Sequence, residues 1–187
     1  MTGSRFVANL ASSGGGAIYA NALHVVGSTF SRNVAPYGGG VLAYVADAAA
    51  STFSGNQSNL GGAVLACFGT FDASVFVGNH ARDFGGAIWN CGITVHRSRF
   101  TSNTSDGHGG AIYFSPNADF LPTRDIRGNL FRRNRAALGG GAIVGNTGCA
   151  PIPGSVAALI KSSNTFAANR ALTFRRTNDV ELANLGC

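Results

Sequence analysis

Asp72, His96 and Arg127 share one repeated place in this chain, four residues before Phe76, Phe100 and Phe131. Thr94 and Asp125 fall two residues before His96 and Arg127, in the next place that alternation along a strand would turn to the same side. If equivalent places stack, a carboxylate, an imidazole and a guanidinium meet on one face. Such a set suits proton abstraction alpha to a uronate carboxylate. His96 or Arg127 would take the proton, and Asp72 or Asp125 would hold a cation. The competing reading is an exposed ladder in which unlike charges offset one another. Only eight acidic residues occur in the 187-residue chain, and glycan-cleaving sites need clustered carboxylates. The ladder is therefore the preferred reading, and no cofactor is expected.

Cysteine offers a second chemistry. Cys67 and Cys91 each lie four residues after the alanine of a Gly-Gly-Ala motif, and Cys149 and Cys187 close the similar stretches Gly145–Cys149 and Ala183–Cys187. Stacked coils bring equivalent Cα atoms to about 4.8 Å, within reach of a disulfide. The expected pairs are Cys67–Cys91 and Cys149–Cys187, which implies an oxidising compartment. No C-x-x-C or H-x-x-x-H spacing suggests zinc. His24, His80 and His108 read as solvated or hydrogen-bonded turn residues.

These side chains must be positioned by a repeat. Phe-x-x-Asn begins at Phe6, Phe30, Phe53, Phe76, Phe100, Phe131 and Phe166, with first steps of 24, 23, 23 and 24 residues. Gly-Gly-Ala-Ile or a variant begins at Gly15, Gly39, Gly61, Gly85, Gly109 and Gly140. A fixed period of this size means a solenoid. Paired glycines, β-branched residues and a single Lys and Glu argue for short strands rather than helix pairs. The fold expected is all-β: a single-stranded parallel β-helix of about seven coils.

Aligned units predict columns. Ile18, Leu42, Val64, Ile88, Ile112 and Ile143 should face inward, as should the Phe column and Val25, Ala48, Phe71, Val95 and Ile126. The Asn that closes each Phe-x-x-Asn should form a turn ladder whose amides bond coil to coil. Paired Gly should allow positive φ or close backbone approach. Tyr19, Ala43, Leu65, Trp89, Tyr113 and Val144 should lie on the other side. That stripe either faces solvent, where it suits a sugar ring or a partner protein, or is covered by a further layer. Insertions at Ser115–Pro122 and Thr147–Ser155 fall after the same strand. With Trp89, Tyr113, Arg124 and Arg127 they make the expected contact surface. Thr70 and Thr94 alone are too few for an ice-binding threonine face.

The net charge of +6 lies wholly in residues 124–187, because five Arg and five Asp cancel before that point. A solvated face is the plain reading; attraction to an acidic glycan, an anionic headgroup or nucleic acid is the sharper one. Neither an 18-residue apolar stretch nor a leader pattern is visible. Residues 1–187 read as one domain starting in mid-coil without an N-terminal cap, with 170–187 as an irregular last coil or C-terminal cap.

The alternation of GGA[ILV] and FxxN over residues 4–169 resembles the repeats of chlamydial polymorphic outer membrane proteins and related bacterial surface β-helices. The resemblance implies a right-handed β-helix at the cell surface or secreted, acting in adhesion and often carried as an autotransporter passenger. It lacks here a translocator barrel and a leader. The function expected is a non-catalytic adhesion module that binds a glycan or a host or cell-surface protein, with no nucleic acid partner. A polysaccharide lyase or glycoside hydrolase and a structural spacer are the alternatives.

Overall fold

The computed structural model describes residues 1–115, 125–146, 154–172 and 180–183. The chain winds as a parallel β-solenoid with three sheets. The long-strand sheet runs through Ile18–Val26, Val41–Ala49, Val64–Asp72, Ile88–His96, Ile112–Phe114, Ile143–Asn146 and Val180–Ala183, with Ile126–Arg127 pairing the end of the fourth strand. A second sheet carries the Phe column, from Arg5–Val7 to Thr165–Ala167 in seven strands. The third has five strands, from Gln57–Leu60 to Arg170–Ala171, so about five turns carry all three faces.

Two ladders fill the interior. Phe6, Phe30, Phe53, Phe76, Phe100, Phe131 and Phe166 stack ring on ring, with centroids 4.7–5.0 Å apart and planes within 11°. Each such pair adds about 0.5–1.5 kcal/mol beyond the area it buries. Beside it runs the asparagine ladder. Asn33, Asn56, Asn79, Asn103 and Asn134 each give the backbone N–H and the side-chain Nδ2 to the next coil's Oδ1, at 2.9–3.0 Å. The Nδ2 also donates to the carbonyl of the preceding coil's Phe. The ladder satisfies polar groups that the bend would otherwise bury unpaired. In a parallel ladder the backbone N–H groups from Ser4 onward donate to the hydroxyls of Ser28, Ser51, Ser74 and Ser98, then to Oδ1 of Asn129 and Asn164.

The two glycines of each motif do different work. The first, as in Gly61 (φ 62°) and Gly85 (φ 68°), adopts the left-handed backbone. The second is held by sterics: a Cβ on Gly62 would lie 2.1 Å from the Gly86 carbonyl oxygen. The residue before each ladder Asn is also left-handed, and only Gly55 and Gly78 meet that need with glycine.

One column needs correcting. Leu42 does not face inward and Ala43 does not face outward. Val41 pairs with Ile18 and Val64, whereas Leu42 pairs with Tyr19 and Leu65. The ambiguity comes from three consecutive glycines. Positive φ falls on Gly38 (56°), so Gly40 takes the place of the motif's alanine. The column five before Phe is inward throughout, from Val25 at 1% exposure to Ile126 at 3%.

The sequence does not announce the helix Gly154–Ser163. It replaces the second half of a long strand, and Ile160 is buried in the core cluster. Asn164 Nδ2 ties it down by donating to the carbonyls of Ile160 and Ile126, both at 2.7 Å. Among the described residues, no helix is long and apolar enough to cross a membrane.

Candidate functional site

Each nine-residue strand of the long-strand sheet turns its first, third and eighth residues inward, and its sixth as well except at Gly69. Between the third and sixth the alternation breaks. Pairing passes from Asn90↔Ala66 to Gly92↔Phe68 and omits the two cysteines. The chain bends there, and two successive side chains emerge on the outer side. Tyr44 is 58% exposed, and its ring meets Phe68 edge-on at 5.3 Å. Tyr19 is 75% exposed, and Leu42, Leu65 and Trp89 continue its row, half-buried. The result is an aromatic and aliphatic patch across four strands. Alignment of the repeats found Tyr19, Leu65 and Trp89 but missed Tyr44, because that strand was set one place out of register, and Phe68, because a strict period of two does not turn the fifth residue outward.

Tyr113 continues the same row by pairing with Trp89, yet only 4% of it is exposed. Phe84 stacks on its ring at 4.6 Å. The row is thus open at Tyr19 and covered by Tyr113 and Val144. Arg124 lies outside the described residues, as do most of both insertions.

The charged column is assembled as its spacing implied. Asp72 pairs with His96, and His96 with Arg127. His96 Nε2 lies 3.0 Å from Asp125 Oδ2 and 3.3 Å from Arg127 Nε, and Arg127 reaches Asp125 Oδ2 at 2.9 Å. Arg97, which the sequence reading did not single out, forms a two-point ion pair with Asp72. It sits in the left-handed corner (φ 48°) directly after His96, which turns it back over the preceding coil. Its guanidinium holds the Asp72 carboxyl below its ordinary range, with His96 and the Ala73 N–H adding in the same sense and desolvation opposing.

Chemically this is a closed set of polar contacts built on two arginine–carboxylate ion pairs. Asp72 is engaged by Arg97, and Asp125 by His96 and Arg127. Arg127 is a permanent cation and cannot serve as a base. Among the described residues, no three His, Cys, Asp or Glu side chains gather as a metal site would require. Further along the face, Asp47 Oδ1 accepts the Thr70 N–H at 2.8 Å, where the strand pairing lapses around Gly69.

Cys67 and Cys91 are brought together, but they are not bonded. Their sulfurs lie 3.1 Å apart, a thiol contact well beyond the roughly 2.05 Å of a disulfide. Matched register placed them correctly; the bond does not follow from register. Cys149 and Cys187 lie outside the described residues.

A model of the Chlamydia polymorphic membrane protein (Chlamydia_PMP) repeat matches residues 50–67 and 97–115. Each match spans one Phe-x-x-Asn and the following Gly-Gly-Ala motif. Over these residues the chain is similar to repeats of this type. No curated protein and no solved structure matches it significantly.

Proposed function

We propose, from the chain's similarity to polymorphic membrane protein repeats, that it is a non-catalytic module displayed at the outer membrane or cell surface. It acts in adhesion by binding a glycan or a host or cell-surface protein. Its winding is right-handed over about seven coils, in the manner of a pectate-lyase solenoid. The observation that carries the binding role is the exposed patch on the long-strand sheet, where Tyr19, Tyr44, Phe68 and Trp89 stand on consecutive strands. Rigid rings held on a sheet lose little entropy on binding and suit the faces of sugars or a protein hot spot. Arg127 extends this surface at its polar end, with its side chain 65% exposed.

The test is a glycan and surface-protein array probed with the native chain and with Tyr44→Ala and Trp89→Ala. Binding by the native chain that both variants lose supports the reading. Equal binding by all three removes the patch from it.

One contact favours a second reading. His96 Nε2 at 3.0 Å from Asp125 makes an imidazole–carboxylate pair on an open face, as a polysaccharide lyase or hydrolase would use. Unsaturated or reducing-end products from pectin, alginate or a glycosaminoglycan, abolished by His96→Ala, would establish it. A structural spacer would show neither binding nor products.

The thiol contact also supports closure of a Cys67–Cys91 disulfide in an oxidising compartment. Non-reducing peptide mapping of secreted material should find the two cysteines in one linked peptide; free thiols at both would exclude it.

A further inference from the structure

Four arginines of the basic surplus gather at one corner of the solenoid, away from the aromatic patch. Arg132 ends a strand of the Phe sheet, Arg133 occupies the left-handed corner (φ 55°), and Arg135 starts the next strand on the third sheet. Between them only Asn134 points inward, held at 1% exposure by its ladder. The three arginines are all exposed. One coil on, Arg170 pairs in register with Arg135, which sets their Cα atoms about one strand spacing, 4.8 Å, apart. Arg133, Arg135 and Arg170 line a cleft of about 280 Å³ with Asn134 and Ala168.

No carboxylate among the described residues pairs with any of these four arginines. The described carboxylate contacts with basic side chains are to Arg97 and Arg127, and to the imidazoles of His80 and His96. Asp106, on the same side of the solenoid, is engaged by His80 at 3.5 Å. Stacked like charges repel, so the Arg135–Arg170 step costs free energy that an anion bridging the two would recover. The guanidinium fork suits bidentate contact with sulfate, phosphate or carboxylate oxygens.

We propose that this cleft binds a linear sulfated polysaccharide, whose regularly spaced anions run along the coils across Arg133, Arg135 and Arg170. Three cations in one cleft, two of them on successive coils, select a polymer over a single small anion, because each further contact is made intramolecularly. No aromatic ring lines the cleft, so it offers no platform for nucleic-acid bases. The site is independent of the aromatic patch.

The experiment is heparin binding by the full chain at 0.15 M NaCl, measured by surface plasmon resonance. It compares the native protein with R135Q/R170Q, with R5Q/R82Q, which removes equal charge elsewhere, and with Trp89→Ala. The site variant should bind about tenfold more weakly, as the loss of two charge-assisted contacts implies, while the R5Q/R82Q and Trp89→Ala variants bind as the native chain does. Equal thermal melts would establish that all three variants are folded. Absence of heparin binding by the native chain overturns the proposal. So does native-like binding by R135Q/R170Q, or equal loss in R5Q/R82Q, which would reveal attraction to bulk charge alone. Displacement of heparin by a thymidine oligonucleotide or by phosphatidylserine vesicles at equal charge would assign the site to those partners instead.

Discussion

A single atom of Asn79, Oδ1, accepts both the backbone N–H and the side-chain Nδ2–H of Asn56, at 3.0 and 2.9 Å. Asn79 in turn donates in the same two ways to Asn103 and gives its Nδ2 to the Phe53 carbonyl. Backbone and side chain of one coil are thereby fixed to the next through a buried amide. Asn79→Ala leaves the Asn56 N–H without its partner and takes one bond each from the Asn56 Nδ2 and the Phe53 carbonyl. It should cost about 2–4 kcal/mol, since each orphaned buried group costs about 1–3. A shift in denaturation midpoint measures this. A shift no larger than that of an exposed control such as Gln57→Ala would mean that the ladder is dispensable.

Phe76 stacks on Phe53 and Phe100 and meets Phe71 edge-on at 5.6 Å. Phe76→Ala should destabilise by about 3–5 kcal/mol, the range for truncating a buried aromatic. Phe6→Ala should cost less, because Phe6 is only partly buried and stacks on Phe30 at an end of the column. Equal losses at both sites would show that stacking position does not matter.

Two glycines separate backbone strain from collision. Gly78 has φ 62° with nothing within 4 Å of a new Cβ, whereas a Cβ on Gly62 meets backbone atoms at 2.1 and 2.7 Å. Gly78→Ala should cost about 1–2 kcal/mol, the penalty for a left-handed residue with a side chain. Gly62→Ala should prevent normal stacking of the coils, read as loss of soluble folded protein or of the cooperative melt. Comparable stability of the two variants would contradict this steric account.

Asp72 and Arg97 give a pH dependence of defined sign. The Asp72 carboxyl is held below its ordinary value of 3.8. Its contribution to stability is complete above 3.8 and is lost as pH falls through the lower folded value. Both side chains reach solvent, so the contribution is small and is screened by salt. Asp72→Asn should be slightly less stable than the native chain at neutral pH, and the gap should close as acid is added below 3.8. A gap that widens in acid would reverse the assignment.

Much of the fold was legible from the spacing alone. A period of 23 or 24 residues forces equivalent side chains to stack, so the Phe and Asn columns, the charged column of Asp72, His96 and Arg127 and the meeting of Cys67 with Cys91 follow without knowledge of any dihedral angle. Repetition supplies that information many times over. The Gly38–Gly40 run shows where it fails: three identical residues leave the register open by one place, and only the positive φ at Gly38 fixes it.

The tertiary structure alone decided which surface the chain offers. The outward turn of both Tyr44 and Phe68 depends on a bend that breaks the two-residue alternation. The burial of Tyr113 depends on Phe84, which lies 29 residues earlier in the sequence and belongs to another face. The pairing of Asp72 with Arg97 depends on a left-handed corner that carries the arginine back one coil. Stacking is set by the repeat itself, but exposure and ion pairing are set by contacts between places that the repeat does not make equivalent.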